Sequence, residues 1–126
     1  MGLLHEAARA GDVEQIYWLL DVNIDGINDE GLTPLQLAVS YGRVEAIRAL
    51  LSCGASVDAR SSSHHEGITA LHCAAIRGDR EIVELLLEHG ASWEAVDAEG
   101  KTPADYARHH AEGEIEALLD ETARRA

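Results

Sequence analysis

Three stretches of this chain repeat one another: Gly31-Leu32-Thr33-Pro34-Leu35-Gln36-Leu37-Ala38, Gly67-Ile68-Thr69-Ala70-Leu71-His72-Cys73-Ala74 and Gly100-Lys101-Thr102-Pro103-Ala104-Asp105-Tyr106-Ala107. The opening glycines Gly31, Gly67 and Gly100 are 36 and 33 residues apart. Each stretch runs into a turn and then a second apolar segment: Val44–Leu51, Ile82–Leu87 and Ile115–Leu119. A degenerate copy opens the chain, with Leu4-His5-Glu6-Ala7-Ala8, Gly11-Asp12 and then Ile16 to Leu20. A repeat of this length is one supersecondary unit, too small to bury its own apolar face. Such units gain a core only by stacking in a line.

The residue types say what each unit contains. Thr33 and Thr102 stand where a helix N-cap belongs, with Pro34 and Pro103 at the first helical position. Leu35, Ala38 and Val39 have helical i, i+3, i+4 spacing, as do Leu71, Ala74 and Ala75. Gly42 and Gly78 then end the first helix of each pair. Val44, Ile47 and Leu51 form the expected buried stripe of one second helix, and Ile82, Leu85 and Leu86 that of another, with Gly54 and Gly90 closing them. The segment after each closing glycine alternates apolar residues with turn formers and predicts a hairpin-like loop. Phe is absent and Trp and Tyr number 2 and 3, so Leu, Ile, Val and Ala must build the core.

The pattern resembles the ankyrin repeat, with its Thr-Pro-Leu-His-x-Ala signature, over nearly the whole chain. The resemblance implies an all-α solenoid of stacked helix-turn-helix units with hairpin loops, in one domain spanning 1–126. The units are 1–28, 29–63, 64–96 and 97–126, the outer two acting as caps. The exit of unit one, Asp21–Gly26, is short, and unit four has Ala111 where the turn glycine belongs. The polar end, Asp120–Arg125, is expected to fray.

Charge and motifs exclude most chemistry. Asp and Glu total 23 against 10 Lys and Arg, for a net charge of -13 spread over both halves. Binding to a phosphate backbone or to an anionic membrane is therefore disfavoured, and no apolar run is long enough for a membrane span. The opening Met1–Glu6 reads neither as a secretory leader nor as a lipidation signal. His5-Glu6-Ala7-Ala8-Arg9 fails as a zinc motif at Arg9, and Gly100-Lys101-Thr102 fails as a phosphate loop because Ala95 stands at the required glycine. Gly54-Ala55-Ser56-Val57-Asp58 is no nucleophile elbow. No catalytic residue, metal ligand set or cofactor site is assigned.

Individual residues read as structural first. His5 and His72 fall on the signature histidine, whose family role is to bond neighbouring backbone and the signature threonine; Gln36 and Asp105 replace it elsewhere, which suggests a hydrogen-bonding job. His64 and His65 beside Glu66 are solvated loop residues or a contact, with no third spaced metal ligand. Cys53 and Cys73 are expected to be buried small apolar residues, and two free thiols fit a reducing, cytoplasmic setting. Trp18 and Trp93 are expected to pack, and Tyr17 to be solvated.

Proteins of the ankyrin kind bind through hairpin tips and the exposed face of the first helices, which line a concave groove. Carried over by position, the resemblance names Arg9, Asp29, Glu30, Leu32, Ser40, Tyr41, Arg60, His65, Glu66, Ile68, Ile76, Arg77, Glu99, Lys101, His109 and His110 as partner-binding residues. Leu32, Ile68 and Ile76 make a row of aliphatics there, read either as contacts or as residues half-buried between units. The extra length in Ser61–Glu66 is equally a projecting tip or a tolerated insertion. The function read from all this is a non-catalytic, monomeric protein-binding module. Its sharper form is an acidic inhibitor or immunity-type protein of a basic enzyme or toxin. The alternative is a structural assembly or self-associating scaffold component.

Overall fold

A computed structural model describes residues 3–19, 23–62, 67–109 and 113–125. Among them are eight α-helices and no strand: α1 (Leu3–Ala10), α2 (Val13–Trp18), α3 (Pro34–Ser40), α4 (Val44–Ser52), α5 (Ala70–Arg77), α6 (Arg80–Glu88), α7 (Pro103–His109) and α8 (Gly113–Arg125). The helices form antiparallel-type pairs, α1 with α2 through α7 with α8. The first helices pack in an unbroken row, α1 on α3, α3 on α5 and α5 on α7. Behind them α2 packs on α4 and α6 on α8. This is the helix-turn-helix solenoid expected of the sequence.

The starts of the inner helices explain the repeated Thr. In α3 the Thr33 hydroxyl accepts from the Gln36 N–H at 3.1 Å while Gln36 Oε1 accepts from the Thr33 N–H at 2.9 Å. Thr69 and His72 form the same reciprocal pair in α5, as do Thr102 and Asp105 in α7. Two orphan N–H groups are thus satisfied at each buried helix start. At the other end of α5, Gly78 adopts φ 77°, the left-handed conformation that a C-cap glycine takes without strain.

The inner helices approach closely because their contact positions are alanine: Ala8, Ala38, Ala74, Ala75 and Ala107 are all fully buried. The outer helices supply the bulk, with Ile16, Ile47, Leu50, Ile82, Val83, Leu86, Ile115 and Leu119 buried against them. Each large aliphatic contributes about 1.5–3 kcal/mol of transfer free energy before entropy is subtracted.

Four expectations need correction. In α4 the fully buried leucine is Leu50, with Leu51 only partly covered. The stripe Ala46, Ile47, Ala49, Leu50 faces both α3 and α2, which a single-face reading misses. Trp18 does not pack: it is 77% exposed. Cys53 is half-buried where full burial was expected, because it caps α4 at the edge of a turn. The polar end is helical through Arg125, tied by Thr122 Oγ1 donating to the Leu118 carbonyl at 2.9 Å and by an Arg125–Glu121 ion pair.

Candidate functional site

The loops between helical pairs are built by one device used three times. Asn28 Oδ1 accepts from the Glu30 and Leu32 N–H groups, both at 3.0 Å, and the Asn28 N–H donates to the Leu32 carbonyl. Asp97 repeats this with Glu99 and Lys101, both at 2.9 Å. Ser61 takes the same place in the middle loop, its hydroxyl accepting from the Ile68 N–H at 3.0 Å across the longer insertion. Burial opposes ionisation of Asp97, but the Tyr106 hydroxyl and these backbone N–H groups hold its carboxyl below the usual range.

The signature position then ties each inner helix to the next loop. Gln36 Nε2 donates to the Ile68 carbonyl at 2.8 Å and to the Ala59 carbonyl at 3.1 Å. His72 Nε2 contacts the Lys101 carbonyl at 2.9 Å, and His5 Nε2 the Gly26 carbonyl at 2.8 Å. His72 Nδ1 accepts from the Thr69 N–H, which leaves the proton on Nε2. Burial pushes the His72 imidazole below its ordinary pKa. The hydrogen-bonding role expected of these residues is the observed one.

With loops and helices fixed, an open depression of about 530 Å³ lies between α3 and α5, lined by Leu32, Ser40, Ile68, Cys73, Ile76 and Arg77. Leu32 and Ile68 come from equivalent points of successive loops, Ser40 from the end of α3, and Cys73, Ile76 and Arg77 from one face of α5. Ile76 is 40% exposed. Arg77 Nη1 donates to the Ser40 carbonyl at 3.1 Å, and Arg77 Nε lies 3.7 Å from Asp79. The guanidinium rests on Gly42, whose φ is 69°; a Cβ there would collide with it. Cys73 is the lining residue that sequence reasoning missed, having been read as core only. Its spacing of three and four residues from Ile76 and Arg77 carries the signal. Burial pushes its thiol up to about 11, against a hydrogen bond with Ser40 that favours the thiolate.

Tyr41, which caps the end of α3 next to Ser40, is 48% exposed, with the Arg9 guanidinium 5.6 Å from its ring centroid. Arg9 also pairs with Glu6 at 3.2 Å and Glu30 at 3.3 Å. Asp29 and Glu30 are exposed at the tip of the first loop. Glu99 and Lys101 are exposed on the last loop, 4.0 Å apart, away from the depression, with Lys101 Nζ 5.8 Å from the Tyr106 ring. Arg60 bridges two loops, donating to the Gly67 carbonyl at 3.0 Å and to the Val96 carbonyl. His65, Glu66 and His110 lie outside the described residues, and of His109 only its place at the end of α7 is described. The predicted residues that the structure describes thus divide into a set gathered between α3 and α5, the Arg9–Tyr41–Glu30 contact between α1, α3 and the first loop, a set on separate loop tips, His109 at the end of α7, and Arg60, a brace.

Comparison with known proteins agrees with this architecture. Residues 2–61 match the family model "Ankyrin repeats (3 copies)" and residues 50–107 match "Ankyrin repeats (many copies)". The chain belongs to the ankyrin-repeat family. It is 41% identical over 54 residues to the ankyrin repeat domain-containing protein oryK of Aspergillus oryzae, which covers 41% of this chain and 9% of that protein. It is 44% identical over 57 residues to ankyrin repeat and SOCS box protein 11 of Mus musculus, covering 44% of this chain and 18% of that protein. The matched stretches therefore span less than a fifth of these relatives' own length. Ankyrin repeats are in general non-catalytic modules for protein–protein interaction. No described helix is long and apolar enough to cross a membrane.

Proposed function

We propose that this chain is a non-catalytic binding module that holds a partner protein on the face between α3 and α5. The observation that carries the reading is the depression itself: an apolar floor with a polar rim, made from equivalent positions of two successive helical pairs. Leu32, Ile68 and Ile76 suit an aliphatic side chain of the partner, and Arg77 suits a carbonyl or carboxylate beside it. Tyr41, held by Arg9, extends the contact surface. The floor is built on helices whose starts are doubly hydrogen-bonded, so little ordering is lost on binding.

The helical pairs support a division into units 1–28, 29–63, 64–96 and 97–126. A net charge of -13 supports rapid encounter with a basic partner, the inhibitor or immunity-type case, and a monomer kept apart by self-repulsion. Free Cys53 and Cys73 suit a reducing compartment such as the cytoplasm.

The test is affinity capture from the native source with the wild-type chain and with Tyr41→Ala/Ile76→Asp, followed by titration of the purified partner. The double variant is expected to lose the partner while keeping its helical circular dichroism. Equal capture by both proteins would remove this face from the function. An oligomer of the wild-type chain alone, with no partner captured, would favour the scaffold reading instead.

A further inference from the structure

The helix α2 carries a side chain that the repeat pattern places under cover. Counted from Gly11, Gly42 and Gly78, Trp18 stands where Ala49 and Leu85 stand in the next two units. Those two are 2% and 3% exposed, whereas Trp18 is 77% exposed. The same holds around it. Leu3, at the position of buried Pro34 and Ala70, is exposed, and so is Gln15, at the position of buried Ala46 and Ile82. Inside the chain this face of a unit is covered by the preceding helical pair, α1 lying on α3 and α2 on α4. The α1–α2 pair therefore presents a stacking face with no described residue over it.

The shape and charge of that face say what suits it. One depression of about 340 Å³ is floored by Leu3, Ala7, Ala10 and Leu19 and edged by Glu6 and Asp12. A second, also about 340 Å³, is formed by Tyr17 and Trp18 with Glu14. Residues 1–28 contain five acidic side chains and one basic one, Arg9, which pairs with Glu6 and Glu30 and lies over Tyr41, leaving Asp12 and Glu14 without a cationic partner from this stretch. An apolar face ringed by carboxylates, with two aromatic rings beside one of them, matches an aliphatic stripe flanked by cations. A second copy of this chain does not match: a two-fold pair would set Glu6, Asp12 and Glu14 against themselves.

We propose that the open face of α1–α2 docks a helix of a partner protein that carries an aliphatic stripe between lysine or arginine residues. The inference is independent of the α3–α5 depression, which lies on the other side of α1. Trp18 and Leu3 take the aliphatic stripe, and Asp12 and Glu14 pair with the flanking cations.

The probe is a synthetic amphipathic leucine/lysine helix titrated into the intact chain by calorimetry at physiological salt, with an oligolysine of equal charge as control. Wild type is expected to bind the amphipathic helix and not the oligolysine. Trp18 fluorescence, read in a Trp93→Phe background, should shift to the blue. Trp18→Glu, an exposed position that the fold does not use, should weaken binding roughly tenfold or more, the loss typical of a central aromatic anchor. Glu14→Lys should weaken it too, and Ile76→Asp should leave it unchanged. Equal binding of oligolysine, unchanged affinity of Trp18→Glu, or loss of binding in Ile76→Asp would each overturn the proposal. So would a wild-type dimer in sedimentation that Trp18→Glu converts to monomer.

Discussion

Exchanging His72 for alanine or for glutamine separates what this buried side chain bonds from what its charge does. Its Nδ1 accepts from the Thr69 N–H at 3.1 Å and its Nε2 donates to the Lys101 carbonyl at 2.9 Å, with the residue fully buried. Alanine leaves both backbone groups without their partner, at about 1–3 kcal/mol each, and opens a void where the ring met Tyr106 edge-on. The sum is about 3–6 kcal/mol, or roughly a 10–25 °C fall in Tm for a chain of this size. Glutamine is a different case. Gln36 already makes the same pair of bonds one unit earlier, to the Thr33 N–H and the Ile68 carbonyl. His72→Gln should therefore cost less than about 1 kcal/mol near pH 8.

The pH dependence then isolates the imidazole. Burial lowers the His72 pKa from 6.5; the Lys101 carbonyl, Asp97 and Asp105 oppose this and Arg60 adds to it, with the net shift downward. The unfolded chain takes up a proton at His72 that the folded chain declines, so the stability contribution is present above about 6.5 and is lost as pH falls. The slope is at most about 1.4 kcal/mol per pH unit for one group. Urea unfolding of wild type and His72→Gln, near pH 8 and near pH 5.5, reads the difference. The glutamine variant should gain on wild type as the pH drops, other groups cancelling in the comparison. A difference that stays constant with pH, or grows in favour of histidine, would refute the assignment of a neutral, Nε2-protonated His72.

Three further outcomes follow from single observations. Gly42→Ala should cost about 1–2 kcal/mol by urea unfolding, because φ is 69° there; it should also weaken partner binding, because the new methyl displaces Arg77 from its seat. Leu50→Ala should destabilise by about 2–5 kcal/mol and Leu51→Ala by clearly less, since only Leu50 is fully enclosed; equal losses would contradict the register of α4. A thiol reagent at neutral pH should label half-buried Cys53 well before Cys73, whose thiol is buried and pushed up to about 11; faster labelling of Cys73, followed by peptide mapping, would mean that the depression opens beyond what the structure shows.

What could be read in the sequence was whatever a unit owes to itself. Thr33, Pro34 and Gly42 bracket α3 by local rules of capping and φ, so the helix needed no knowledge of its surroundings. Gln36 and Asp105 standing in for histidine pointed to hydrogen bonding, because that is a job all three side chains can do, and each does bond the threonine N–H of its own helix. Most of the lining of the α3–α5 depression was legible for the same reason: Leu32 and Ile68 are equivalent positions, and equivalence is a property of the repeat. What a unit owes to its neighbours was not legible. Trp18 was read as packed because it lies on an outer helix, yet burial at its position depends on a preceding helical pair, and α2 has none among the described residues. Arg60 was placed on the binding face, and its side chain also bonds a carbonyl of its own loop and one of the next, a bridge that no periodicity encodes. Cys73 shows the intermediate case, a residue covered from one side by Ser40 and open on the other to the depression. In a stack of repeats the sequence specifies the faces, and the ends decide which of those faces remain available for a partner.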